Sequence, residues 1–264
     1  MSVEAAATGR FAPAPGAAPM RRMVAAQAVL ETKTLLRNGE QLTLILVIPL
    51  LLLVAFSQEN LVSFGAGITR IDFMTPGVIA LAVMSTAFTG QAIGTGFERR
   101  YGVLKRLGAT PLSRAGLIAA KTATVVAVEL LQAVLIIVVA LALGWSPDAS
   151  PSAVVVVPFL VLLGTAAFSG LALLMAGTLR AEATLAAANL VYVVLLGAGG
   201  VIFPLTKFPA GARPVLELLP TGALSTGLRD VLASGAGFPV KDAVTLAVWA
   251  VAGITLAART FRWE

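Results

Sequence analysis

The chain has 264 residues, of which 58% are hydrophobic and 12% charged, with a formal net charge of +6 and a mean hydropathy of +0.93. Soluble domains are ordinarily about 45–50% apolar and about 25% charged. The composition therefore excludes an ordinary soluble enzyme and a disordered chain, and points to a protein that crosses a membrane several times.

There is no His and no Cys, which excludes thiolate and imidazole metal sites, Cys and His nucleophiles and disulfides. No Gly-Lys pair occurs, so the chain has no phosphate-binding P-loop. The expectation is a chain with no cofactor or metal of its own, whose ATP and Mg, if used, sit in a partner. The positive charge reads as the cytoplasmic Lys and Arg excess of a membrane protein, with no nucleic-acid partner.

Residues 1–19, rich in Ala, Pro and Gly, read as a flexible tail. They lack the order of a signal peptide. Over 20–40, Met20, Val24, Ala28 and Leu35 share one arc and Arg22, Lys33, Arg37 and Glu40 the other. This predicts a cytoplasmic interfacial helix, although Arg21 and Glu31 intrude on its apolar arc. Six apolar stretches follow, at about 41–56, 73–97, 115–144, 153–179, 184–203 and 243–258. The first and last are short for a span, and Pro49 is expected to kink the first. The predicted fold is an all-α membrane protein in which 41–264 form the transmembrane domain.

Six spans put both termini on one side. Of the 19 Lys and Arg residues, 14 then fall on the side of the N-terminus and 5 on the other, which predicts cytoplasmic termini. No internal repeat is visible.

Two spans carry the polar groups that stand out. Thr75, Ser85, Thr86 and Thr89 form a hydroxyl stripe on the second, beside Gly90 and Gly94. The stripe serves either close helix packing or a substrate path. Glu129 lies 12 residues past Leu117 in the third span, about 18 Å along the helix and near mid-membrane, where a carboxylate is costly. It reads as a buried partner for a cation, a protonated acid in a packed seam, or a point on the substrate path. Gln132 can share its site, Asn189 is a candidate hydrogen-bond partner, and Lys121 is expected to snorkel to the cytoplasmic end.

Residues 98–114 read ERRYGVLKRLGATPLSR. Val103, Leu104 and Leu107 share one arc, with Glu98, Arg99, Lys105 and Arg106 opposite, which predicts a short interfacial helix ending at Gly108. Thr110 is then expected to cap the next helix, with Pro111 at its first position. Such an elbow can carry a push from the cytoplasm into the third span, or be an ordinary basic loop. Residues 204–242 contain Pro204, Pro209, Pro214, Pro220 and Pro239, so no continuous helix crosses them. Val215 to Leu219 and Ala223 to Leu232 nevertheless have helical patterns and are too apolar for a solvated loop. Short re-entrant helices before the last span are expected, with Glu217, Arg229 and Asp230 held by protein or interfacial water.

The loop with Glu98, Gly102, Leu104, Leu107 and Ala109-Thr110-Pro111-Leu112-Ser113-Arg114 resembles the one between the second and third spans of permease subunits of type-2 ATP-binding-cassette (ABC) exporters. It departs from them at Tyr101, where many carry a second acid. The stretch from Leu219-Pro220-Thr221 to Leu228-Arg229 resembles their re-entrant segment. The resemblance implies a drug- or antibiotic-exporter-like permease of the bacterial plasma membrane, working as a dimer with a second permease copy or homologue and a separate ABC ATPase.

It also implies that Glu98, Arg99, Arg100, Gly102, Lys105 and Arg106, with the elbow at Thr110 and Pro111, couple to that ATPase. Candidates for the substrate path are Ser85, Thr86, Thr89, Glu129, Gln132 and Asn189, and for an outer gate Glu217, Pro220 and Arg229. The cargo would be an amphipathic solute such as a drug, antibiotic, lipid or polysaccharide. The alternative function is a proton-coupled secondary transporter using Glu129. A membrane anchor for a partner ATPase is another, and a lipid-acting enzyme is weaker still, since no carboxylates cluster for acid/base or metal work.

Overall fold

The computed structural model describes residues 16–58, 69–147 and 150–260, and every regular element among them is helical. Residues 1–15 of the expected tail, most of the loop after the first apolar stretch, and the last four residues lie outside the described residues. The elements are α1 (Met20–Arg37), α2 (Gly39–Leu42), α3 (Ile48–Gln58), α4 (Arg70–Val83), α5 (Gln91–Arg100), α6 (Val103–Gly108), α7 (Arg114–Ala142), α8 (Ala153–Thr178), α9 (Ala181–Ala198), α10 (Arg213–Glu217), α11 (Pro220–Leu232) and α12 (Val240–Thr260). Wider π turns join α2 to α3 over Thr43–Val47 and α4 to α5 over Met84–Gly90.

Five helices are long and apolar enough to cross a membrane: Arg70–Arg100, Ala115–Ala142, Ala153–Thr178, Ala181–Ala198 and Val240–Thr260. The first apolar stretch is shorter, an apolar helix over Ile45–Ser57. The last helix begins three residues before the predicted stretch and is a full-length candidate. Its polar first turn, Val240-Lys241-Asp242, is helical although the hydropathy pattern omits it.

The helix over Arg70–Arg100 is almost wholly buried and is the axis of the fold. Phe73, Met74, Leu81, Met84 and Phe88 on it are buried, enclosed by α3, α7, α8, α9 and α11. α8 and α12 run against each other along their length. A Cβ at Gly170 would lie 2.7 Å from the backbone N of Ile254, so glycine there sets the close approach of these two helices. α11, which is nearly all buried, wedges between α4, α8 and α12. The outer faces of α7, α9 and α12 present Leu130, Val134, Leu190, Val193, Val248 and Val251. A water-facing surface would not tolerate so continuous an apolar belt, whereas lipid does.

α1 has no buried residue and lies against α7, where Thr124 Oγ1 donates to Ala28 O at 3.2 Å. The cap expected at Thr110 lies three residues further on: Ser113 is the N-cap of α7, its hydroxyl accepting from Gly116 N at 3.0 Å. Thr110 is engaged the other way. Its hydroxyl donates to Leu107 O at 2.6 Å, closing α6, and accepts from Leu112 N. Pro111 therefore belongs to the linker and not to the helix.

Candidate functional site

The polar groups of the spans gather at three levels. In mid-bundle, Pro49 has no N–H to donate to Ile45 O one turn back. Gln132 Nε2 of α7 donates to that carbonyl at 2.6 Å, while Gln132 Oε1 accepts from Thr86 Oγ1 at 2.8 Å. One glutamine thus ties the first apolar helix to the π turn of the central one. Ser85 Oγ donates to the Tyr192 hydroxyl of α9 at 3.3 Å, while Thr75 bonds its own backbone at Ile71 O. The stripe is thus divided: Ser85 and Thr86 join neighbouring helices, and Thr89 Oγ1 is buried without a hydrogen-bond partner.

Glu129 is buried, and Oε2 accepts from Thr165 Oγ1 of α8 at 2.6 Å. Its Oε1 has no hydrogen-bond partner. Glu129 and Gln132 wall a small cavity of about 20 Å³, the size of one water molecule, whose other lining is apolar. The partner of Glu129 is thus Thr165 and not Asn189, which is exposed on α9. The hydroxyl at Thr165 was not legible as a partner because it lies on a different helix, where Thr165 and Ser169 share a buried face that local spacing does not join to Glu129.

At the elbow end, Lys121 does not snorkel. It is buried, with Nζ 2.6 Å from Glu98 Oε2 of α5 and 3.5 Å from Glu31 Oε1 of α1. Gln27 Nε2 also donates to Glu31 Oε1 at 2.8 Å. The acid that intruded on the apolar arc of α1 is therefore the one that binds α1 to the bundle. Nothing in local spacing joins residues 31, 98 and 121, and the misplaced Glu31 was the single signal. Around them lies a cavity of about 370 Å³.

Glu98 thus points inward, whereas Arg100 pairs with Glu182 at the start of α9 and Arg99 donates to Leu179 O. Gly102 turns the chain with φ +68°, in the left-handed region that favours glycine. That turn follows the exposed Tyr101 and starts α6, which buries Leu104 and exposes Val103, Lys105 and Arg106. The resemblance-derived coupling residues accordingly divide into Glu98, Arg99 and Arg100, which brace the spans, and Lys105 and Arg106, which face outward.

At the opposite end, Arg229 of α11 donates to Phe73 O at 3.1 Å and Val201 O at 3.2 Å, with its guanidinium 3.8 Å from the Phe73 ring centre. This is a stacked cation over an aromatic face. Gly77 makes room for it, since a Cβ there would lie 2.5 Å from Arg229 Nη2. Burial raises the Asp230 carboxyl above its usual range, and neighbouring Arg229 pulls it back. Glu217 pairs with Lys241 at the start of α12. Pro220 opens α11 and is buried. Arg229 and Pro220 are thus built into the packing, while Glu217 closes the short helices onto the last span.

Among the described residues no cluster of three or more His, Cys, Asp or Glu forms a metal site. The chain is similar to the "Putative transport permease ycf38" of Porphyra purpurea, 30% identical over 195 residues covering 69% of this chain and 64% of that relative. The chain thus spans less than two thirds of that relative's length. The family model for the ABC-2 type transporter matches residues 27–232, from α1 through the end of α11. With that match over most of its length, on an all-helical bundle of apolar spans, the chain belongs to the ABC-2 type transporter family.

Proposed function

We propose that this chain is the permease subunit of an ABC exporter of the bacterial plasma membrane. In this reading, a separate ATP-binding subunit docks on the elbow and drives an amphipathic solute, such as a drug, antibiotic, lipid or polysaccharide, outward through a path completed by a second permease copy. Both termini are cytoplasmic, and the first apolar helix crosses the thinned or tilted bilayer as a sixth span.

The observation that carries the reading is the build of the elbow. α6 is fixed by buried Leu104 and presents Lys105 and Arg106 outward, and Glu98, just before it, is ion-paired to Lys121 of α7. A displacement of α6 is thereby passed to two long helices at once, the kind of rigid connection a partner's closure requires. Co-purification with an ABC ATPase in gentle detergent tests docking. Lys105→Glu with Arg106→Glu is expected to abolish association while leaving the folded bundle intact. Retained association, or ATP-independent transport in vesicles, would overturn the reading.

The proton-coupled alternative is separated by Glu129→Gln. The amide retains an acceptor for Thr165 Oγ1, so an ATP-driven permease keeps ATP-dependent flux even where a path role for Glu129 lowers it, whereas a carrier that moves protons on this carboxyl loses all gradient-driven transport.

A further inference from the structure

We propose that the cavity beside Lys121 is a binding site for an amphiphile with a primary ammonium head and an apolar tail. Its volume of about 370 Å³ falls within the range of small-molecule sites. Leu30, Leu35, Ile45 and Val125 form an apolar wall, which suits a tail. The charged residues lining it are Glu31 from α1, Glu98 from α5 and Lys121 from α7. Two carboxylates on one ammonium leave one formal negative charge, which disfavours a phosphate or carboxylate head and favours a cation.

The nature of the cation follows from α5. Gln91, Thr95 and Glu98 are spaced four and three residues apart, so they form one ladder along the helix face that lines the cavity. Gln91 and Thr95 are buried, at 8% and 2% exposure, and Gln91 Oε1 and Thr95 Oγ1 have no hydrogen-bond partner. Buried acceptors left unpaired are costly. A primary ammonium has three N–H donors and no acceptor, so one seated midway along this ladder, which runs about 10 Å from Gln91 to Glu98, can donate to the unpaired Gln91 and Thr95 oxygens while its charge faces the carboxylates. A quaternary ammonium brings the charge but no donor. Gly94, on the same turn, leaves the space open, since a Cβ there would meet nothing within 4 Å. Placing this cavity on the cytoplasmic side rests on the topology proposed above, but its ligand chemistry does not.

The test uses the full chain in phosphatidylcholine nanodiscs, photolabelled with a dodecylamine carrying a diazirine in its tail, with labelled residues mapped by mass spectrometry. Labels are expected on α1, α5 and α7 around the cavity. Excess dodecylamine should displace them, and dodecanol or dodecyltrimethylammonium should not. Gly94→Leu, which fills the space, and Gln91→Leu, which removes one acceptor, should each reduce labelling, the latter about tenfold as for one lost charge-assisted hydrogen bond. If phosphatidylethanolamine nanodiscs suppress the label, the ammonium is that of a membrane lipid; if labelling persists there, it is that of a free amphiphile. Labels elsewhere, equal competition by the trimethyl compound, or full labelling of both variants would overturn the proposal. No ATPase is present, so this result is independent of whether the chain proves to be an ATP-driven permease.

Discussion

Removing the charge of Lys121 while keeping its stem, as in Lys121→Met, strands Glu98 and Glu31 against each other at the junction of α1, α5 and α7. The Nζ distances of 2.6 Å and 3.5 Å correspond to attractions of about 6 and 5 kcal/mol at an effective dielectric of about 20. Desolvating three charges offsets most of this. Breaking a fully buried pair costs about 3–5 kcal/mol. Here the Glu98 and Glu31 side chains keep 28% and 16% exposure, so water screens part of the loss and about 2–3 kcal/mol is expected. The assay is reversible unfolding in mixed micelles titrated with sodium dodecyl sulfate. The double variant Lys121→Met with Glu98→Gln strands one acid fewer and should recover at least half the loss. A single variant within about 0.5 kcal/mol of the parent, or a double variant no better than the single, would refute the clamp.

Three further outcomes follow from the packing. Gly170→Ala forces a methyl to within 2.7 Å of the Ile254 backbone, and should destabilise the bundle by about 1–3 kcal/mol in the same titration, by separating α8 from α12. Arg229→Met leaves Phe73 O and Val201 O without the guanidinium and loses the ring contact. A loss of about 2–4 kcal/mol is expected, and an unchanged midpoint would show that other donors reach those carbonyls. Ser113→Ala should cost about 1 kcal/mol as the loss of an N-cap, with hydrogen exchange accelerating at Gly116. Thr110→Ala should leave Gly116 protected, and the reverse order would restore the cap to Thr110.

The composition and charge pattern alone made the chain a multi-span helical membrane protein, because period and hydropathy are local properties and a bilayer demands long apolar helices. The elbow was legible in part for the same reason, since Leu104 and Gly108 act through one helix face and the backbone. The single short helix expected to carry Glu98 and Arg99 is instead split, α5 ending at Arg100 and α6 starting at Val103 after the turn at Gly102. What the chain order could not show is which polar group meets which. Glu129 was visible as a carboxylate in the wrong solvent, yet its partner Thr165 is 36 positions away on α8. Lys121 was near a helix end, and only the approach of α1 and α5 made it a buried clamp. The cap at Ser113 in place of Thr110 turned on a hydroxyl being drawn back to Leu107. The sequence by itself determined which segments must leave water. The tertiary structure alone decided how their few polar atoms are satisfied, because in a low-dielectric bundle each must find a partner on whichever helix packing brings beside it.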